Sequence, residues 1–170
     1  QRVIELVKSV RPLFMDHERA SRITVKGAAD FVTQVDFQVQ ERMRSGLFDM
    51  YPQVQFMGEE KDNRDIDFSG AVWILDPVDG TTNLIHDFRC SALSLALCDR
   101  GQLELGIIYQ PYRDELFLAQ RGRGAFLNGS PIHVSSVSDL GQSLISIGTS
   151  PYNHDLADRN FEDIKRVFLK

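Results

Sequence analysis

The chain has 170 residues, with 24 acidic and 19 basic side chains for a net charge of −5; 42% of the residues are hydrophobic and 25% charged. That is ordinary globular composition and enough length for one domain with a sizeable core, which argues against disorder. The acidic balance argues against a nucleic-acid scaffold, no apolar run approaches the ~20 residues of a membrane span, and no signal-peptide pattern opens the chain. A soluble, cytoplasmic protein is expected. Two cysteines cannot build a disulfide framework; Cys90 and Cys98 lie in an apolar stretch and are expected to be buried thiols in a reducing compartment.

In chain order, residues 1 to about 20 read as an amphipathic helix on Val3, Leu6, Val7 and Val10. A loop with Lys26 and Gly27 follows, then the run Asp30 to Asp36. Asp36 opens a second helix to about Met50, with Phe37, Val39 or Gln40, Met43 and Leu47 as its periodic positions, ending before Tyr51-Pro52. Val54 to Met57 is a short strand, and residues 61 to 70 are a polar loop. The continuous apolar run Ala71 to Leu75 predicts a strand buried on both faces, stopped at Pro77, with a short helix starting near Thr82. Ser91 to Asp99, Leu103 to Gln110 and Glu115 to Ala119 predict an antiparallel meander. Residues 122 to 129 predict a strand and hairpin, with Asn128-Gly129 suited to a type I′ turn. Helices followed by a run of strands indicate an α+β fold: two N-terminal helices packed on a largely antiparallel β-sheet. Gln1 lies inside one helical pattern and Lys170 inside another built on Phe161, Ile164 and Phe168, so a piece of a longer protein is expected.

Charge placement is more informative than net charge. From Glu59 to Asp79 there are seven acids and two bases, so this window alone carries −5. Asp62, Asp65 and Asp67 read as a solvated loop, whereas Glu59, Glu60, Asp76 and Asp79 at the two ends ask for a cation. A buried strand delivers Asp76 to its end, and the next turn presents Asp79. Two carboxylates and the Val78 carbonyl are oxygen donors of the kind hard cations accept. Gly80 lets backbone approach closely, and Thr81 and Thr82 sit where a helix N-terminus could hold a phosphate. The same residues can be read as turn and helix caps. Gly58-Glu59-Glu60 is either a ligand pair or an exposed turn, because adjacent carboxylates repel unless solvated or compensated. Asp30 to Asp36 read alone is a helix cap.

Asp30-x-Val32-Thr33-x-x-Asp36, Gly58-Glu59-Glu60, Trp73 to Asn83 (with the run Asp76-Pro77-Val78-Asp79-Gly80-Thr81) and Gly122-x-Gly124-Ala125-Phe126-x-Asn128-Gly129 together resemble the inositol monophosphatase family in order and spacing. The resemblance implies the first half of a layered αβαβα sugar-phosphatase fold. Residues 1–170 would form an N-terminal metal- and phosphate-binding domain, and nothing resembles the family's C-terminal half with its Trp-Asp motif. It implies a phosphomonoesterase dependent on two or three Mg²⁺ ions. Glu59, Asp76 and the Val78 carbonyl would hold the first ion, and Asp76 and Asp79 the second. Thr81, bonded to Asp36, would activate water. Gly80, Thr81 and Thr82 would hold the phosphate, and Glu60 would bind outside the first ligands or hold a third ion through water. A small phosphorylated sugar or inositol is the implied substrate, with a homodimer and lithium sensitivity expected by likeness. Relatives acting on 3′-phosphoadenosine 5′-phosphate, fructose 1,6-bisphosphate or histidinol phosphate share the motifs. A non-catalytic, cation-dependent binding module is the alternative of another class. A GTPase-like binder is excluded, since no GxxxxGK[ST] occurs. Lys26 lies on a loop that can approach the site in this family, and a solvated surface lysine is its other reading. His17, His86, His133 and His154 match no ligand position. Loss of the second half would leave an apolar face exposed.

Overall fold

The computed structural model describes residues 1–27, 30–148 and 155–169, with Lys26, Gly27 and Asp30 described by backbone alone. The chain resolves into two compact units, Gln1–Thr24 with Phe31–Ile132, and Val25–Asp30 with His133–Lys170. His154 lies outside the described residues. Among the described residues no helix is long and apolar enough to cross a membrane.

The first helix of the sequence reading is three: α1 (Arg2–Lys8), α2 (Arg11–Phe14) and α3 (His17–Ala20). Pro12 falls in the first turn of α2, where its missing N–H costs nothing, and Asp16 caps α3 by accepting from the Arg19 amide at 3.1 Å. Each device starts a new helix where one continuous helix was expected. The expected loop at Lys26 and Gly27 is instead strand β1 (Ile23–Gly27), followed by β2 (Asp30–Thr33).

Helix α4 (Gln34–Met50) starts two residues before Asp36, because Thr33 is its N-cap in a capping box: Asp36 accepts from the Thr33 amide. The sheet selects which side of the helix is buried. Val35, Val39, Met43 and Leu47 recur every four residues and are buried, so Phe37, two residues out of step, is 47% exposed rather than core. Beside the apolar stripe the same helix buries two polar side chains, Asp36 and Gln40.

Seven strands form one sheet in sequence order: β3 (Gln55–Gly58), β4 (Ala71–Asp79), β5 (Ala92–Asp99), β6 (Gln102–Gln110), β7 (Glu115–Gln120), β8 (Gly124–Leu127) and β9 (Ser130–Ile132). All neighbours are antiparallel except β3 and β4, which run parallel. A short helix, α5 (Thr81–Ile85), links β4 to β5. The β8–β9 turn has φ 49° at Asn128 and 83° at Gly129, the two positive angles a type I′ turn needs.

One face of the sheet packs Trp73, Leu75, Leu93, Leu95, Ile107, Tyr109 and Leu116 against the stripe of α4 and Val3, Val7, Val10 and Phe14. Leu95 sits opposite both Leu75 and Ile107 and is fully buried. Leu95→Ala is therefore expected to cost about 2–5 kcal/mol in urea unfolding through lost burial and the cavity left behind; a loss below about 1 kcal/mol would mean the site collapses around the gap. On the opposite face, strand alternation carries Ile108 and Phe117 beside Ala119 and Ala125 along an apolar groove, and Ile108 is 49% exposed. Cys98 is buried as expected but Cys90, which follows α5 in the connection to β5, is exposed; both are free thiols. In the second unit α6 (Ala157–Phe168) lays Ile164 and Val167 near Ile145 and Ile147.

Candidate active site

Strand β4 does not stop at Pro77. It continues to Asp79, with a register shift between Asp76, opposite Ser94, and Asp79, opposite Ala92. Three steps on β4 thus match two on β5, which is a β-bulge; Pro77, with no N–H for the ladder, sits inside it. The bulge has a direct chemical consequence. In a regular strand residues three apart face opposite ways, but Ser94 and Ala92 share a face, so the bulge brings Asp76 and Asp79 onto one side.

Glu59 joins them through the parallel pair. Gly58 lies opposite Leu75, and the Glu59 amide donates to the Leu75 carbonyl at 3.1 Å, which sets Glu59 beside Asp76. Partial burial and the neighbouring Glu59 and Asp79 carboxylates push the Asp76 carboxyl up to about 7, and it shares a hydrogen bond with Glu59. The Val78 amide donates to Asp76 Oδ1 at 3.1 Å. Among the described residues no three His, Cys, Asp or Glu side chains converge on a common point, so these acids are neighbours and not a closed cage. The donor set nevertheless fits a hard divalent cation. It is all oxygen, and the Glu59 and Asp79 carboxylates add to the negative charge at Asp76.

Thr81 is the first residue of α5. Its Oγ1 lies 3.0 Å from Asp36 Oδ1 and 3.0 Å from the Val78 carbonyl oxygen. A hydroxyl has one proton, so it can donate to only one of them at a time. Asp36 is buried, and its other oxygen accepts from the Thr33 amide at 2.8 Å and the Thr33 hydroxyl at 2.6 Å. The capping box that starts α4 therefore also locks the carboxylate that faces Thr81. Gly80 takes φ +86°, and a Cβ there would meet the Cys90 carbonyl oxygen at 3.0 Å, so glycine is required both by conformation and by close approach. The Gly80 carbonyl accepts from Ser91 Oγ at 2.9 Å, which ties the turn to β5.

Of the residues singled out by sequence, Asp36, Glu59, Asp76, Val78, Asp79, Gly80 and Thr81 thus fall in one neighbourhood of the first unit, with Thr82 following Thr81 in α5. Glu60 is held at its backbone by Gln40: its amide donates to Gln40 Oε1 at 3.0 Å and its carbonyl accepts from Gln40 Nε2 at 3.1 Å. The remaining acids of the window act as expected for solvated groups. Asp62 pairs with Arg64 and Asp67 with Ser69, and both carboxyls are held below the usual carboxylate range by those hydrogen bonds. His17, His86 and His133 are exposed.

Residues 1–168 of the 170 match the model of the inositol monophosphatase family. The chain belongs to that family. It is 38% identical over 166 residues to an inositol monophosphatase of Dictyostelium discoideum, covering 95% of this chain and 60% of that protein. Among solved structures it is similar to an extragenic suppressor protein suhB from Bartonella henselae, with TM-score 0.76, 33% identity, and coverage of 81% of this chain and 54% of that one. It is also similar to an IMPase/NADP phosphatase complexed with Mg²⁺ and phosphate, with TM-score 0.64, 31% identity, and coverage of 75% and 48%. The chain thus spans between about half and three fifths of the length of these relatives. The α+β fold with a largely antiparallel sheet agrees with these neighbours. Gln40 and Asn63, which hold the Gly58–Glu60 turn, were missed by sequence reasoning, since neither belongs to an acidic or glycine motif.

Proposed function

We propose that this chain carries the metal- and phosphate-binding part of a Mg²⁺-dependent phosphomonoesterase acting on inositol monophosphate or a related small phosphate. The observation that carries the reading is the Asp36–Thr81 hydrogen bond beside the Asp76 carboxylate group. A bare cation-binding loop has no use for a hydroxyl locked between a buried carboxylate and a carbonyl, whereas a hydrolase that must deprotonate water has.

Glu59, Asp76 and the Val78 carbonyl would hold one ion, and Asp76 and Asp79 a second; Glu60 would act through water or hold a third. Mg²⁺ bound there supplies Lewis-acid polarisation of the phosphoryl oxygens and a more acidic bound water. The chain's own groups do the rest. Thr81 Oγ1 would accept the water proton while its own proton passes to Asp36 Oδ1, and the water oxygen would bond to phosphorus as the phosphorus–ester oxygen bond breaks, the departing oxygen taking a proton from solvent water. The first N–H groups of α5, at Gly80, Thr81 and Thr82, have no carbonyl of their own helix to bind and are offered to the phosphate. A homodimer, a cytoplasmic location and lithium inhibition belong to the same reading. That a relative of known structure is complexed with Mg²⁺ and phosphate supports the choice of ion and ligand.

The test is phosphate release by the full-length protein from inositol 1-phosphate, fructose 1,6-bisphosphate and 3′-phosphoadenosine 5′-phosphate, with and without Mg²⁺. Release that requires Mg²⁺ is expected, with inositol 1-phosphate preferred. One neighbour is described as an extragenic suppressor protein rather than by an activity, which favours a second reading as a cation-dependent binding module. Mg²⁺ binding with no release from any of the three would select it.

A further inference from the structure

Three successive backbone groups at Gly58, Glu59 and Glu60 are each fixed by a different part of the first unit. The Gly58 amide donates to Asn63 Oδ1 at 3.3 Å, and its carbonyl accepts from Asn63 Nδ2 at 2.7 Å. The Glu59 amide goes to the Leu75 carbonyl at 3.1 Å. Both backbone groups of Glu60 are taken by the Gln40 side chain, in the reciprocal pair that a primary amide, with donor and acceptor side by side, can make. Gln40 is 8% exposed, so an amide that did not find these partners would carry the cost of an unsatisfied buried polar group. It also approaches Gly58 so closely that a Cβ there would lie 2.3 Å from Gln40 Oε1. The glycine before the two glutamates is therefore needed to admit this side chain.

Gln40 stands four residues after Asp36, one turn along the same buried side of α4. Asp36 holds Thr81, at the end of the Asp76–Asp79 segment, and Gln40 holds the turn that carries Glu59. We infer that Gln40 is a positioning residue, fixing the Glu59–Glu60 turn at the distance from Asp76 that a shared cation needs. It thereby makes one side of α4 the common ruler for both acidic segments. The inference rests on the metal reading above.

A metal partner held by such outer contacts loses affinity when the contact goes, about ten-fold or more. In full-length protein, Gln40→Met keeps the length and most of the volume of the side chain but neither hydrogen bond. The probe is Mn²⁺ alone, titrated calorimetrically without substrate, with melting followed in parallel. The expected result is a Kd for Mn²⁺ raised about ten-fold, a matching rise in the Mg²⁺ needed for half-maximal phosphate release, and kcat at saturating Mg²⁺ within about two-fold of the parent. Gly58→Ala, which displaces the Gln40 amide while leaving residue 40 unchanged, should move the Mn²⁺ affinity the same way and serves if Gln40→Met does not fold. A lowered melting temperature with unchanged Mn²⁺ affinity would reduce Gln40 to a packing role and overturn this inference alone. Failure of the unaltered protein to bind Mn²⁺ would overturn the metal reading, and this inference with it.

Discussion

Asp76→Asn is expected to abolish Mg²⁺-dependent phosphate release by the full-length protein, by on the order of a thousand-fold, while leaving the fold intact. The size follows from its place. Asp76 is half-buried between Glu59 and Asp79, and in the proposed reading it would be shared by two ions whose transition-state stabilisation is worth several kcal/mol. The metal-free protein offers an independent check. The folded chain holds the Asp76 carboxyl up at about 7, against an ordinary 3.8, because burial and the two neighbouring carboxylates penalise its charge. Between those values the folded chain keeps a proton that the unfolded chain has released. The destabilisation is thus absent below the unfolded value, grows as pH rises, and is complete once pH passes about 7. Asparagine carries no such charge, so at pH 8 and without metal Asp76→Asn should melt no lower than the parent protein. Retention of most activity by this variant would end the shared-ligand assignment.

Thr81→Ala should lower kcat by about a hundred- to a thousand-fold, the range that a positioned proton acceptor contributes, while the Kd for Mn²⁺ moves less than about three-fold. In the proposed reading the hydroxyl would bridge a reacting water and Asp36, and the Val78 carbonyl it also contacts remains in place after the substitution. Thr81→Ser keeps the hydroxyl and should recover most of the turnover. If Thr81→Ala instead removed Mn²⁺ binding and spared turnover at saturating metal, the threonine would be a support of the metal turn and not a proton acceptor.

Much of the site could be read in the sequence, because its donors are local. Asp76 to Thr82 supplies carboxylates, a carbonyl, a glycine and a helix start within seven residues, and Glu59-Glu60 ends a strand that has its own apolar pattern. Phe37 fits a helical period in the sequence, but the face that meets the sheet is the one carrying Val35, Val39, Met43 and Leu47, and Phe37 lies off it. The apolar stretch around Cys90 predicts a buried thiol, but Cys90 falls in the connection between α5 and β5, exposed, with its carbonyl accepting from Asn83 Nδ2.

By itself, the sequence determined which chemistry was on offer: an excess of oxygen donors in one window, a hydroxyl beside a helix start, and strands and helices of known period. Only the tertiary structure decided how those donors meet. Pro77 was expected to end β4, yet its missing N–H is absorbed by a bulge, and the extra residue turns Asp79 onto the same side as Asp76. The pairing of Thr81 with Asp36 spans 45 positions, and that of Gln40 with Glu60 spans 20. Neither leaves a local signature, because hydrogen bonds between distant segments are set by packing, which here is the burial of the Val35–Leu47 stripe of α4 against the sheet.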